Sequence, residues 1–254
     1  MTVVFVHGNP ETAAIWNELL DALRAAGVER ELIALSPPGF GAPVPEGFDP
    51  VAPSYREWLT AELEAIVATA GAVDLVGHDW GGGHVVPVAL DRQDLIRSWC
   101  VDVLGLFHPD YVWHDMAQVW RTPGDGEENI AGMMGTPTAD LAMLYESLGM
   151  PPAVAADVAA GAGDEMGRCI LSLYRSAEPA YLAEIGARLG DNTRPALAVC
   201  AENDTYVGSR AQIEEMAGLA NARTVHLAGV GHWWMLEDPA AGAAVLASFW
   251  SSLE

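Results

Sequence analysis

No lysine occurs anywhere in the 254 residues, so all 12 basic side chains are arginines. That absence excludes chemistry built on an amine nucleophile and any phosphate loop that needs a lysine. Positive charge is scarce altogether: 12 Lys+Arg stand against 35 Asp+Glu, for a formal net charge of -23. A field of this sign repels nucleic acid and anionic lipid, and it slows the approach of anionic substrates. Cysteine is sparse too. Cys100, Cys169 and Cys200 stand far apart, with no metal-ligand or redox spacing, and read as reduced thiols in a cytoplasmic protein. No apolar run reaches the ~20 residues of a membrane-spanning helix. The opening MTVVFVHGNP lacks the basic start and small-residue cleavage site of a secretion signal. No cofactor motif is present, and nothing marks an oligomeric state.

What is present is a globular chain, 51% hydrophobic, long enough for one full core and a small insertion. Val3–Val6 is a short β-branched run that reads as a buried strand. Thr12–Ala26 carries Ile15, Trp16, Leu19, Leu20 and Leu23 at helical spacing and stops at Gly27. Leu32–Leu35 is a second strand, followed by a Pro/Gly loop over 36–53. Ser54 and Glu57 have the form of a capping box for a helix running to about Ala70. Val73–Val76 is a third strand leading into a helix, and Ile96–Leu104 a fourth. From Phe107 to Asn192 only short helical segments are expected. Strands return at Ala196–Cys200 and Thr224–Leu227, with helices from Ser209 and from Pro239. The alternation predicts an α/β fold with a doubly wound, mostly parallel sheet. The core would comprise 1–106 and 191–254, with a helical lid over 107–190 inserted in it.

The densest signal is Gly77-His78-Asp79-Trp80-Gly81-Gly82, where a strand runs into Gly-x-Asp-x-Gly and then a helix. This is the pattern of a nucleophile elbow, with aspartate where serine usually stands. Small flanking residues are needed because the turn is tight, and the helix N-terminus favours an ionised carboxylate. A phosphate loop is the alternative for a glycine-rich turn, but neither GxGxxG nor GxxxxGK[ST] occurs. His7-Gly8-Asn9-Pro10 follows the first strand, where one oxyanion-hole N–H is expected, from Asn9; the other would come from Trp80. His232, in Gly229-Val230-Gly231-His232, follows a strand and suits a general base. Asp204 follows another and suits the acid that orients it, with Glu202, Asp102 and Asp110 as alternatives. The order Asp79, Asp204, His232 is that of nucleophile, acid and base.

These motifs resemble the α/β-hydrolase superfamily, in the branch of epoxide hydrolases and haloalkane dehalogenases. Gly-His-Asp-Trp-Gly-Gly at 77–82 is similar to that branch's elbow, and His-Gly-Asn-Pro-Glu at 7–11 to its oxyanion-hole motif. The likeness spans nearly the whole chain, weakly across the insertion. Members usually carry an antiparallel strand pair before the His-Gly strand. Here Met1 nearly abuts that strand, so an N-terminally shortened sheet with an unusual edge is expected.

A carboxylate nucleophile narrows the reaction. Attack on an ester would give an anhydride. Attack on saturated carbon expels a leaving group and makes an alkyl ester, which a His232-activated water can hydrolyse. The substrate is then a small neutral organic molecule, an epoxide or an alkyl halide. In dehalogenases the halide donors resemble Asn9 and the Trp80 indole. In epoxide hydrolases lid tyrosines donate, and Leu173-Tyr174-Arg175 resembles the segment carrying one of them. Trp120 stands before Thr122-Pro123-Gly124 where the other tyrosine is usual; Tyr145 and Tyr181 are further candidates, and any of these rings could instead serve lid packing. Tyr174 and Pro10-Glu11 favour the epoxide, Asn9 the halide, and the epoxide is the preferred expectation. A non-catalytic, ligand-binding hydrolase fold is the reading from another class.

Overall fold

The computed structural model describes residues 1–254. Six strands form one sheet, with β1 at Thr2–Val6, β2 at Glu31–Leu35, β3 at Val73–Gly77, β4 at Ile96–Val101, β5 at Ala196–Ala201 and β6 at Arg223–Leu227. Every pairing is parallel, in the order β2-β1-β3-β4-β5-β6. The chain steps from β1 to β2 on one side and then returns to place β3 on the other. The loops after β1 and β3 therefore diverge, which opens a crevice at the carboxyl ends of these two strands.

Alternation along the strands divides the interior. Val4, Val6, Leu75 and Val101 face a cluster of 44 buried residues shared with α2 (Ala52–Ala70) and α3 (Trp80–Asp91). Val3, Phe5, Val76 and Cys100 face a second cluster of 30, shared with α1 (Asn17–Ala25). Between β4 and β5 lie six helices and no strand: α4 (Asp115–Arg121), α5 (Asp125–Met134), α6 (Thr138–Ser147), α7 (Pro152–Gly161), α8 (Asp164–Ser176) and α9 (Pro179–Gly186). The chain closes with α10 (Arg210–Leu219), β6, the single turn α11 (Trp234–Glu237) and α12 (Pro239–Ser251). No helix is long and apolar enough to cross a membrane.

Two expectations are corrected. Ser54 does not cap its helix. α2 begins at Ala52, because Pro53 in the first turn has its φ already set for a helix and needs no N–H there. β4 stops at Val101, not Leu104, and Leu104–Phe107 coils into a 3-10 turn. β1 is interior to the sheet. It lies between β2 and β3, and the edge is β2, whose Glu31 is exposed.

Asp74 is a charged residue inside the otherwise apolar β3, and it lies at the end of the sheet opposite the crevice. It is 1% exposed. Arg30 Nη1 reaches it at 2.5 Å, Arg97 Nε at 3.0 Å, and Ser98 donates to it from the neighbouring strand. Two guanidinium groups thus compensate one buried carboxylate. Removing the carboxylate would leave both bases facing a void, so Asp74→Ala should lower unfolding free energy by about 3 kcal/mol, read from the midpoint of a urea transition.

Candidate active site

β3 ends at Gly77 and α3 begins at Trp80, so His78 and Asp79 must turn the chain. Asp79 does so at φ 48° and ψ -130°, a conformation that an L residue holds only when its surroundings impose it. At Gly81 the surroundings are backbone, and at Gly8 they are the Asp79 side chain itself. A Cβ at Gly81 would lie 2.1 Å from the Val6 carbonyl oxygen, and one at Gly8 would lie 2.1 Å from Asp79 Oδ1. Both positions therefore require glycine. The Asn9 backbone N–H donates to Asp79 Oδ1 at 3.1 Å. Burial pushes the Asp79 carboxyl up to about 6, with Glu11 adding to the rise, while the charge of His232 and the Trp80 backbone N–H pull the other way.

The loop after β6 brings His232 over this carboxylate, with Nε2 3.9 Å from Asp79 Oδ2. Its Nδ1 bonds to Asp204 Oδ2 at 2.9 Å, and Asp204 Oδ1 accepts the Tyr206 backbone N–H at 2.8 Å. Burial opposes a charged imidazole here, but Asp204, helped by Asp79, outweighs it and raises His232 above its ordinary value. Of the other acids, Glu202 faces Arg210 at the surface, and the Asp110 carbonyl accepts from Gln212. Asp102 is buried but turned to a different histidine.

That histidine is His78, which forms a floor that the sequence reading did not foresee. Its Nδ1 lies 2.6 Å from Asp102 Oδ2 and its Nε2 3.2 Å from Glu11 Oε1, all fully or nearly fully buried. Burial disfavours charge on this ring, but the two carboxylates dominate and hold it well above the usual range, as an imidazolium. Glu11, despite burial, is drawn down to about 2 by His78. Trp233 Nε1 donates to Glu11 at 2.5 Å and Trp234 Nε1 to Asp102 at 2.7 Å. Glu11, His78 and His232 bring possible ligand atoms within 4.8 Å of one another. An imidazolium with both ring nitrogens engaged has no lone pair to give, so this cluster is not built for a cation.

Above Asp79 lies a cavity of about 10 Å³, walled by Trp80, Tyr111, Trp113, His114, Tyr174 and Tyr206. Tyr174, from α8, meets Trp80 edge-on at 5.3 Å, and its hydroxyl lies beside the Trp80 indole and the Asn9 side chain. Burial, then the Asp79 charge, raises the phenol well above its ordinary value, which keeps it an O–H donor. Both polar atoms of the Asn9 side chain are buried and make no hydrogen bond of normal geometry, and the same holds for Trp113 Nε1.

Asn9, Trp80 and Tyr174 are thus brought together as the sequence reading expected. Trp120 is not. Its indole donates to Asn129 at 2.8 Å and its ring packs 4.9 Å behind Tyr174, so its donor is already used. Tyr145 packs in the cluster on the α1 face, and Tyr181 lies toward Arg56 and Asp91. The aromatic run Tyr111-Val112-Trp113-His114 went unread in the sequence, as did Tyr206, two residues past the acid.

Comparison with known proteins agrees with this architecture. The chain is 25% identical over 248 residues to 2-hydroxy-6-oxononadienedioate/2-hydroxy-6-oxononatrienedioate hydrolase 1 of Dechloromonas aromatica, covering 91% of this chain and 80% of that one. It is 26% identical to a haloalkane dehalogenase of Mesorhizobium japonicum, covering 94% and 80%. It superposes on the crystal structure of a putative ancestral haloalkane dehalogenase with a TM-score of 0.75 at 22% identity, covering 99% and 91%, a likeness of fold. The model of the alpha/beta hydrolase family matches residues 3–245. With the elbow, the parallel sheet and a match of that extent, the chain belongs to the alpha/beta hydrolase family.

Proposed function

We propose that Asp79 is alkylated by a small neutral substrate and that a water activated by His232 hydrolyses the resulting ester. The observation that carries this is the left-handed carboxylate at the elbow, aligned with His232 and Asp204. Oδ1 is held by the Asn9 N–H, so Oδ2 is the free attacking oxygen. It bonds to a saturated carbon, and the carbon's bond to the leaving group breaks with its electron pair. Water then adds to Asp79 Cγ as its proton passes to His232 Nε2. Charge develops on Oδ1, which lies against the Asn9 backbone N–H, with the Trp80 backbone N–H beside the same carboxyl. The tetrahedral adduct releases the alkoxide, which takes its proton from His232.

The cavity wall bears on the leaving group. An amide buried without a partner costs about 1–3 kcal/mol, and Asn9 carries that cost beside the nucleophile. Its N–H₂ and the Trp80 indole would satisfy a departing halide. One relative that matches along most of the chain and takes such a substrate by name is the Mesorhizobium japonicum dehalogenase. Carbon–halogen cleavage is accordingly the first reading. Epoxide opening is the second, carried by Tyr174, whose O–H is placed to protonate a ring oxygen. No arginine lines the cavity, which disfavours the diacids named for the Dechloromonas aromatica relative.

Intact-mass measurement of His232→Ala with bromoethane and with propylene oxide should show an adduct on Asp79, because alkylation does not need the base. Asp79→Ala should show neither adduct nor turnover, and normal turnover in it would refute the mechanism. Asn9→Ala should slow bromide release by about 10²-fold, the scale of one lost donor, and leave propylene oxide opening nearly unchanged. Tyr174→Phe should show the reverse preference, and diol formation without bromide release in the wild type would establish the epoxide reading.

The two half-reactions should also titrate differently. Attack needs the Asp79 carboxylate, so single-turnover alkylation should fall as pH drops through about 6. Esterification removes the Asp79 charge that helps raise His232. The base in the alkyl-enzyme should therefore titrate lower than His232 does in the free protein, as seen by comparing the pH profile of ester hydrolysis with imidazole NMR. Identical midpoints would overturn this coupling.

A further inference from the structure

Asp102 is buried directly beneath the nucleophile, and its two oxygens serve different parts of the chain. Oδ1 accepts the backbone N–H of Asp79 at 3.1 Å. Oδ2 accepts the Trp234 indole N–H at 2.7 Å and faces His78 Nδ1 at 2.6 Å. Trp234 stands two residues after His232. It is 1% exposed and wedged where a Cβ at Gly242 would come within 2.7 Å of its ring. One carboxylate thus joins the nucleophile's backbone to the loop that carries the base. The preceding indole in the chain, Trp233, makes the parallel tie to Glu11 on the other side of His78. Neither tie is needed to orient the His232 ring, which Asp204 already does.

We propose that Asp102, through Trp234, is a positioning residue that sets the separation between Asp79 and His232. The inference rests on the two-step reading of the site given above. The hydrolytic water must fit between His232 Nε2 and Asp79 Cγ, and the gap from Nε2 to Oδ2 is 3.9 Å. A displacement of about 1 Å in such an arrangement can cost about 10²-fold in rate. Alkylation uses only Asp79, while hydrolysis uses Asp79 and His232 together. Loosening the base loop should therefore slow the second step and spare the first.

The experiment is rapid-quench single turnover, with whichever of bromoethane and propylene oxide the wild type turns over, recording the alkyl-enzyme and the product. In Trp234→Phe the alkylation rate constant should stay within about twofold, while ester hydrolysis falls ten- to a hundredfold and alkyl-enzyme accumulates. Asp102→Asn keeps the side chain's size but cannot accept from Asp79, Trp234 and His78 at once. It should slow both steps, hydrolysis the more, and it carries the test if Trp234→Phe does not fold. A merely structural role predicts something else: a smaller active fraction, hence a lower burst amplitude, with both rate constants unchanged. That result, or an equal fall in both steps in Trp234→Phe, overturns the proposal. If the wild type and His232→Ala form no Asp79 adduct at all, it is the two-step reading that has failed.

Discussion

Three stretches of backbone, the ends of β1 and β3 and the start of α3, approach so closely that no side chain fits at Gly77 or Gly81. That contact fixes where Asp79 can be. It forces the residue to φ 48°, lifts its carboxylate clear of the sheet, and brings the Asn9 N–H against it. The strain costs about 1–3 kcal/mol and is tolerated because the sheet and helix on either side allow no other path. The strand order matters for the same reason. Because β1 and β3 are neighbours at the point where the winding reverses, the two loops that meet at the nucleophile are adjacent without any long excursion.

Around that turn the protein buries Glu11, His78, Asp79, Asp102, Asp204 and His232 within a few ångströms of one another. Unpaired, such charges would neutralise or unfold the site. Paired, they divide into two systems. In the proposed cycle Asp204 and His232 form the mobile-proton pair, in which the imidazole changes state. Glu11, His78 and Asp102 form a pair of carboxylates around an imidazolium that has no reason to release its proton. At 4 Å and the effective dielectric typical of protein sites, one unit charge acts on another with about 4 kcal/mol. The ring centroids of His78 and His232 are 4.6 Å apart, so the fixed charge opposes protonation of the working one. In the proposed cycle the first system would do the chemistry, and the second would hold the electrostatic background constant meanwhile.

The sheet was legible because its strands are short β-branched runs between turn residues, and the grouping of Asp79, Asp204 and His232 was legible because each follows such a run. Ser54 misled because a local capping pattern lost to a proline one residue earlier. Trp120 misled because spacing from a Pro-Gly says nothing of Asn129, which takes its N–H. The floor was invisible for a different reason. Glu11, His78 and Asp102 come from three separate loops, and none of them is near another in sequence. Only His78, a polar residue inside an apolar elbow, hinted that something charged must lie below. The aromatic wall from Tyr111 to His114 was present as a run of rings, but no periodicity says which way a loop residue faces.

The cavity above Asp79, at about 10 Å³, has room for one water and for no carbon skeleton. The Tyr111 hydroxyl bonding to the Tyr206 carbonyl at 2.7 Å closes the wall on the side of the acid loop. A larger ligand would need the wall to part, and the closed form would then draw down apparent affinity in proportion to the fraction of time spent open. Binding would have a kinetic ceiling: as ligand concentration rises, the observed association rate would level off at the rate of wall opening instead of climbing linearly. Discrimination among substrates would begin at that step, in how far two tyrosines must part, before any bond to Asp79 is made.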